Sequence, residues 1–167
     1  MRGQSGVALP TTLLATLLIS SLAAAFLAVA GMEPHIAVNL RDETRARHLA
    51  DAGVDWALDR LTGTADWSPL LTAATLIGPT PLPGLAAAAG TVTVTIRNDD
   101  RPGDDRITGV AVDPGGAAHD TNGVVVVTAA GAVNGVTRQV EAVLRRGGDP
   151  ADTTSPRGAS ITHWKEM

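Results

Sequence analysis

Residues 7–61 read VALPTTLLATLLISSLAAAFLAVAGMEPHIAVNLRDETRARHLADAGVDWALDRL, and this stretch decides the fold. Thirty uncharged residues separate Arg2 from Glu33. About 20 apolar residues are enough to cross a hydrocarbon core as a helix. Residues 33–61 carry six acidic and four basic residues, whereas Arg2 and the terminal amine are the only positive charges before the apolar run. The positive-inside rule therefore predicts a cytoplasmic N-terminus and an external remainder of the chain.

The second half of this stretch predicts an amphipathic helix. Residues 36–61 contain no proline, and their apolar positions recur at a spacing close to the ~3.6 residues of a helical turn. We expect a kink near Gly31 and Pro34, because proline removes a backbone hydrogen bond and costs about 3 kcal/mol inside a helix. A nearly continuous helix over residues 7–61 would be about 80 Å long.

The residues alone leave three interpretations of the apolar segment open. A cleaved secretory signal would use Arg2, an apolar region over residues 13–27 and an Ala-x-Ala site that releases the chain after Ala30. A permanent single-span anchor needs only the length and the charge asymmetry. A prepilin-type leader would be cut after Gly6, and the apolar helix would stay on the mature protein.

Two stretches together resemble the N-terminal region of PilX-type minor pilins of the type IV pilus. They are RGQSGVALPTTLLATLL (residues 2–18) and NLRDETRARHLADAGVDWAL (residues 39–58). In that family a leader that ends in glycine precedes an apolar helix, and a stretch similar to N-L-R-D … A … A-x-A-G-x-x-x-A follows. The matching positions here are Asn39, Leu40, Arg41, Asp42, Ala46, Ala50, Ala52, Gly53 and Ala57. The resemblance covers about the first 60 residues.

This resemblance implies a processing route and a set of partners. A prepilin peptidase would cut between Gly6 and Val7 and methylate the new amine of Val7. The chain would then cross the inner membrane once, with its C-terminal domain in the periplasm. The helix would lie in lipid until it joins other major and minor pilins in a filament.

Thr11 is the position at which the sequence departs from most pilins. They carry glutamate at this fifth mature position, where it neutralises the N-terminal amine of a neighbouring subunit. An unpaired charge in an apolar filament core costs several kcal/mol. The absence of glutamate therefore disfavours a repeating shaft subunit and favours a priming or tip-associated minor pilin. The K pseudopilin of type II secretion lacks this glutamate as well and is the alternative within the class.

The rest of the chain predicts a small antiparallel sheet. Residues 62–90 are rich in proline and are expected to form a connecting loop on the domain with a short helix over residues 69–76, or else a poorly ordered linker. Alternation and β-branched content predict about four strands, at residues 91–97, 107–112, 123–130 and 136–145. An Asn134-Gly135 turn would join the last two strands. Such a meander across the amphipathic helix gives an α+β fold.

We therefore divide the chain into six segments. They are a leader (1–6), a transmembrane or filament-core helix (7–32), an amphipathic helix half (33–61), a connecting loop (62–90), an antiparallel β-meander (91–146) and a flexible C-terminal tail (147–167).

Composition and motifs give little sign of catalysis. The chain has 167 residues, no cysteine and four scattered histidines, and it contains no nucleophile elbow, H-E-x-x-H, P-loop or dinucleotide-binding motif. A net charge of −4 argues against a generic nucleic-acid binder, which usually has a basic face. We expect neither an enzyme nor a cofactor, and no nucleic-acid partner.

Two acidic groups remain as candidate sites. Asp51, Asp55 and Asp59 are spaced four apart on one helix face, which is either solvated or a docking surface for a basic patch on a neighbouring pilin. The second group comprises Asp99, Asp100, Asp104, Asp105, Asp113, Asp120 and Asn122. Calcium takes six to eight oxygen ligands from such loops. Because no EF-hand spacing is present and turns select the same residues, we expect structural turns, with calcium as the weaker alternative.

Trp164 is the one large aromatic residue near the C-terminus. It is expected to clip the tail onto the domain, or else to contact a partner subunit, because tryptophan is favoured at interface hot spots.

Overall fold

A computed structural model describes residues 8–30, 33–147 and 158–167. They form helices α1 (Ala8–Ala30), α2 (Glu33–Thr62), α3 (Ser68–Ala73) and α4 (Asp105–Thr108), a short 3-10 turn (Ala87–Ala89), and strands β1 (Thr75–Thr80), β2 (Thr91–Asn98), β3 (Val124–Val133), β4 (Val136–Arg146) and β5 (Ala159–Glu166). The chain divides into two compact units, Met1–Arg41 and Asp42–Met167. The predicted α+β class is confirmed, but the sheet has five strands rather than about four.

The five strands form one antiparallel meander in the order β1-β2-β3-β4-β5. The β3–β4 hairpin turns at Asn134 and Gly135, as predicted. Both residues have positive φ, 48° and 85°, as the tight turns favoured in hairpins require. Val133 pairs with Val136 across this turn, which fixes the register of the two central strands.

The core lies between α2 and one face of the sheet. The helix buries a stripe of mostly small apolar residues, Ala46, Leu49, Ala50, Gly53, Val54, Ala57 and Leu61. They pack against inward-facing residues of the three central strands, such as Val94, Ala129 and Ala142. The predicted stripe began earlier, at Ile36 and Leu40, but both of these side chains are exposed. Only the part of α2 from Asp42 onward is covered by the sheet domain.

Gly131 sets how closely α2 approaches the sheet. A Cβ atom at this position of β3 would fall on the carbonyl oxygen of Ala46 and within 2.8 Å of the backbone nitrogen of Ala50. The helix backbone therefore rests directly on a strand residue that has no side chain. This contact explains why the helix face is built from alanine and glycine.

Three predicted elements differ from the structure. Residues 107–112 are not a strand, because Asp105–Thr108 form a helical turn that ends at Gly109, where φ is +72°. The predicted loop over 62–90 contains β1, whose strand signal is weakened by Gly78 and Pro79. The predicted flexible tail contains β5, although residues 148–157 of that tail lie outside the described part of the chain. The short helix expected near residue 69 is confirmed as α3.

Residues 99–123 form a long connection between β2 and β3 rather than a turn and a strand. Ile107 and Val110 of this connection pack on Val124, Val126 and Val143, on the sheet face opposite α2. The alternating pattern that suggested a strand therefore reflects burial of a loop. The connection covers the outer face of the sheet.

Candidate functional site

Helix α1 consists of 23 residues without a charge, and every one of them is exposed within the chain. It contains leucines, isoleucine, phenylalanine and alanines, which are soluble in lipid but not in water. By length and composition, the Ala8–Thr62 region is the one part of the described chain that can cross a membrane as a helix. A single membrane span or a signal anchor both fit this property.

The hydroxyl groups of α1 are satisfied by the helix itself. Thr11 donates to the carbonyl oxygen of Ala8 at 2.9 Å, Thr12 to that of Leu9 at 3.0 Å, and Ser21 to that of Leu18 at 2.8 Å. Such internal bonds let hydroxyl side chains lie in an apolar medium without losing a hydrogen bond. The predicted processing residues Gly6 and Val7 lie outside the described residues.

Small residues recur every four positions along α1. They are Ala8, Thr12, Thr16, Ser20, Ala24 and Ala28. Positions four apart lie on the same helix face. Small residues on one face let two helix backbones approach closely in a membrane, where packing and hydrogen bonds drive association. The helix therefore has one face suited to another helix, with bulky leucines elsewhere on its surface.

The acidic row of α2 is only partly a solvated face. Asp55 and Asp59 are exposed, as both interpretations of this row require. Asp51 is half-buried, and its Oδ1 atom is buried without a hydrogen-bond partner. The nearby Arg47 forms an ion pair with Glu166 of β5 instead. This pair ties one side of α2 to the last strand.

The acidic residues of the 99–123 connection lie close together, but each buried one has protein partners. Asp113 accepts hydrogen bonds from the backbone N–H groups of Gly115 and Thr121, each at 2.7 Å, and from the Thr121 hydroxyl. Burial opposes its ionisation, yet these donors outweigh burial and lower the pKa of Asp113. Asp113 therefore closes a loop around a charged acceptor.

Asp99 faces the same loop from the end of β2. Asn122 donates its side-chain amide to both carboxylate oxygens of Asp99, at 3.1 and 3.0 Å. Desolvation by burial, assisted by the nearby charge of Asp113, raises the pKa of Asp99. Two carboxylates near each other thus have pKa values shifted in opposite directions.

Arginines hold the other two buried acids. Arg97 donates two hydrogen bonds to Asp104, at 2.6 and 3.0 Å. Burial opposes the charge of Asp104, but these bonds and the Arg101 N–H lower its pKa. Arg146 pairs with Asp120 in the interior, where burial raises the pKa of Asp120 although the arginine opposes this shift.

This arrangement does not resemble an open cation site. Two of the candidate calcium ligands, Asp104 and Asp120, already pair with arginines, and Asp113 is surrounded by donors. Asp100 and Asp105 lie at the surface. Within residues 8–30, 33–147 and 158–167, no group of three or more histidine, aspartate or glutamate side chains is placed to hold a metal ion.

The sequence gave no signal for the arginine partners. Arg97 comes seven residues before Asp104, and Arg146 comes 26 residues after Asp120, so neither pair follows a helical or strand period. Arg146 also lies over the ring of the fully buried Trp67, 4.6 Å from the ring centroid. Only the five-stranded sheet brings these residues together.

Trp164 lies in β5, paired with Ala142 of β4 and 40% exposed. It is therefore part of a strand rather than a clip at the end of a loose tail. A shallow groove of about 290 Å³ lies elsewhere on the same unit, between Arg45, His48 and Ala52 of α2 and Leu85 and Ala89.

Comparison with known proteins identifies no family for this chain. No family model, curated protein or solved structure matches it. The functional argument therefore rests on the residues and their geometry.

Proposed function

We propose that this chain is a minor pilin that acts in the assembly of a type IV pilus, as a priming or tip-associated subunit. The observation that carries this proposal is α1, an uncharged 23-residue helix whose whole surface is exposed and apolar. It precedes a separate compact unit that has its own core and needs no lipid to bury it. The resemblance of residues 39–58 to PilX-type pilins supports the same assignment.

The proposed mechanism is associative rather than catalytic. Helix α1 crosses the inner membrane once, with the N-terminus in the cytoplasm and the sheet domain in the periplasm. Its small residues, including Ala15, Ser21 and Ala24, permit close approach to the helices of other pilins when the filament forms. Thr11 brings no buried charge into that helix bundle, which suits a subunit with no neighbour above it.

Two other functions compete with this one. A K-like pseudopilin of type II secretion would use the same helix in a pseudopilus. A secreted binding or adhesion module would lose the helix by cleavage after Ala30 and use only the sheet domain. The wholly exposed apolar surface of α1 favours the first two functions, because a discarded signal has no need of a face suited to helix packing.

The mature N-terminus discriminates between these functions. Mass spectrometry of the protein from its native cells is expected to find a chain that starts at a methylated Val7. A chain that starts at Gly31 would contradict the pilin proposal and support the secreted module. An intact Met1 would indicate a plain membrane anchor.

A second experiment tests the role in assembly. Deletion of the gene is expected to reduce surface pili, and the wild-type chain should restore them. Gly6→Leu is expected to block processing and to fail in this complementation. Gly3→Leu is the matched control in the same leader, and it should restore pili. Unchanged piliation in the deletion strain would overturn the assembly role, and a loss of secretion instead would favour the pseudopilin.

A further inference from the structure

The outer edge of β5 is the most open part of the sheet. The strand is eight residues long, and six of these residues are exposed. Within the described ranges, no strand pairs with this edge. A long exposed edge presents unpaired N–H and C=O groups and is a template for pairing with another chain.

The opposite edge of the same sheet, β1, is protected. It has six residues, contains Gly78 and Pro79, and its register with β2 shifts twice. Proline and irregular pairing are common protections of natural sheet edges. β5 reads ASITHWKE, with neither proline nor glycine and with residues that favour strands, such as Ile161 and Trp164. The sequence therefore blocks one edge and leaves the other regular.

The direction of the free backbone groups follows from one hydrogen bond. The N–H of Met167 donates to the carbonyl oxygen of Gln139 at 3.1 Å. Residues in an antiparallel ladder alternate between bonding toward the neighbouring strand and pointing away from it. His163 and Lys165 therefore bond toward β4, whereas Trp164 and Glu166 direct their N–H and C=O groups outward.

The two faces of this edge differ in chemistry. Trp164 pairs with Ala142, which belongs to the core under α2, so its partly exposed ring lies on that face. His163 pairs with Val143, which belongs to the outer face. Lys165 and Arg145 share that outer face by alternation. None of these three cations forms an ion pair with another described residue, so the edge carries unneutralised positive charge on one side and an aromatic ring on the other.

We propose that the outer edge of β5 binds an extended segment of a partner protein in which acidic and apolar residues alternate. The segment would add a sixth strand through the outward backbone groups of Trp164 and Glu166. Its apolar residues would contact Trp164 on one face, and its acidic residues would contact His163 and Lys165 on the other. In strand addition the main chain supplies affinity and alternate side chains supply specificity.

A second copy of this chain is the less suitable occupant. Antiparallel pairing of two β5 edges would bring the histidine and lysine of one copy against those of the other. Like charges directly opposite each other on neighbouring strands are destabilising. The proposal concerns the sheet domain, and it holds whether or not α1 enters a filament.

The test uses the full chain in detergent micelles and two synthetic peptides. Glutamate and valine alternate in one peptide, and lysine replaces each glutamate in the other. Fluorescence anisotropy of labelled peptides gives the affinities. We expect the glutamate peptide to bind roughly tenfold or more tightly than the lysine peptide. Amide hydrogen exchange should slow at Trp164 and Glu166 when the glutamate peptide is bound.

Two substitutions at one position separate the backbone from the side chain. Trp164→Pro removes an outward N–H without breaking a bond to β4, and it should abolish binding. Trp164→Thr is the matched control, because it removes the ring but keeps the N–H, and it should bind within about fivefold of the wild type. Lys165→Gln leaves the edge intact and should weaken binding of the glutamate peptide by about two- to fivefold.

Several results would overturn the proposal. They are an absence of binding by the glutamate peptide, equal binding of both peptides, and equal binding by Trp164→Pro and Trp164→Thr. A concentration-dependent dimer of the free chain in sedimentation, disrupted by Trp164→Pro, would identify a second copy as the occupant instead.

Discussion

At the scale of single residues, Asp113 shows a buried carboxylate that organises a loop rather than a metal ion. Donors from Gly115, Thr121 and Asn122 converge on its two oxygens, and they keep the charge favourable despite burial. The long connection between β2 and β3 has little regular structure of its own. Its conformation therefore depends on a few side-chain acceptors.

We predict that Asp113→Asn destabilises the sheet domain by about 2 to 4 kcal/mol, because an amide group would replace an acceptor and leave buried donors unpaired. Thermal unfolding followed by circular dichroism measures this loss. Asp100→Asn, in the same connection, removes the same charge and should change stability little. Equal stability of the Asp113 variant and the wild type would show that the donors find other acceptors.

The Asp104–Arg97 pair gives a prediction about pH. The pKa of Asp104 is lowered from its ordinary value of 3.8 in the folded chain. Its contribution to stability is therefore fully present above that value and is lost as pH falls through the folded pKa. Asp104→Asn should lower the melting temperature at pH 7, and the difference from the wild type should narrow below pH 3.8. A difference that is constant with pH would contradict this linkage.

At the scale of elements, the contact of α2 with β3 depends on the absence of a side chain at Gly131. Gly131→Ala should destabilise the domain by about 2 to 4 kcal/mol, because a methyl group would force the helix backbone away from the sheet. Gly78→Ala in β1 is the matched control. A Cβ there meets nothing within 4 Å, and the φ of Gly78 is not positive. Chemical denaturation of both variants measures the difference.

The strands that sequence predicted well are those with a simple pattern. β2 alternates strictly, and the β3–β4 hairpin carries an Asn-Gly turn, so local preference and burial agree. β1 was missed because glycine and proline interrupt it. Residues 107–112 were misassigned because apolar residues that cover a sheet face can alternate as they do in a strand. Tertiary burial, which a local pattern does not contain, decided both cases.

The acidic residues of the 99–123 connection were predicted more successfully as turns than as ligands. Their residue types favour turns, which is a local property. Their partners Arg97 and Arg146 belong to strands, and only the register of the sheet brings them within reach. For the same reason the sequence suggested Trp164 as a contact but not the strand edge on which it lies.

At the scale of the whole molecule, the division into two units predicts that the sheet domain folds without the membrane helix. A fragment of residues 42–167 should be soluble without detergent, because its core is contained within that unit. It should unfold cooperatively and show dispersed amide resonances by NMR. An aggregated or unfolded fragment would show that the N-terminal unit is needed for folding.

The four consecutive valines of β3, Val124–Val127, are buried on both faces of the sheet. Alone, such a run has the composition of segments that stack into amyloid. Both coverings, α2 and the 99–123 connection, precede the run in the chain. During synthesis from the N-terminus the coverings therefore emerge first, and the most aggregation-prone segment arrives when its shelter has already been made.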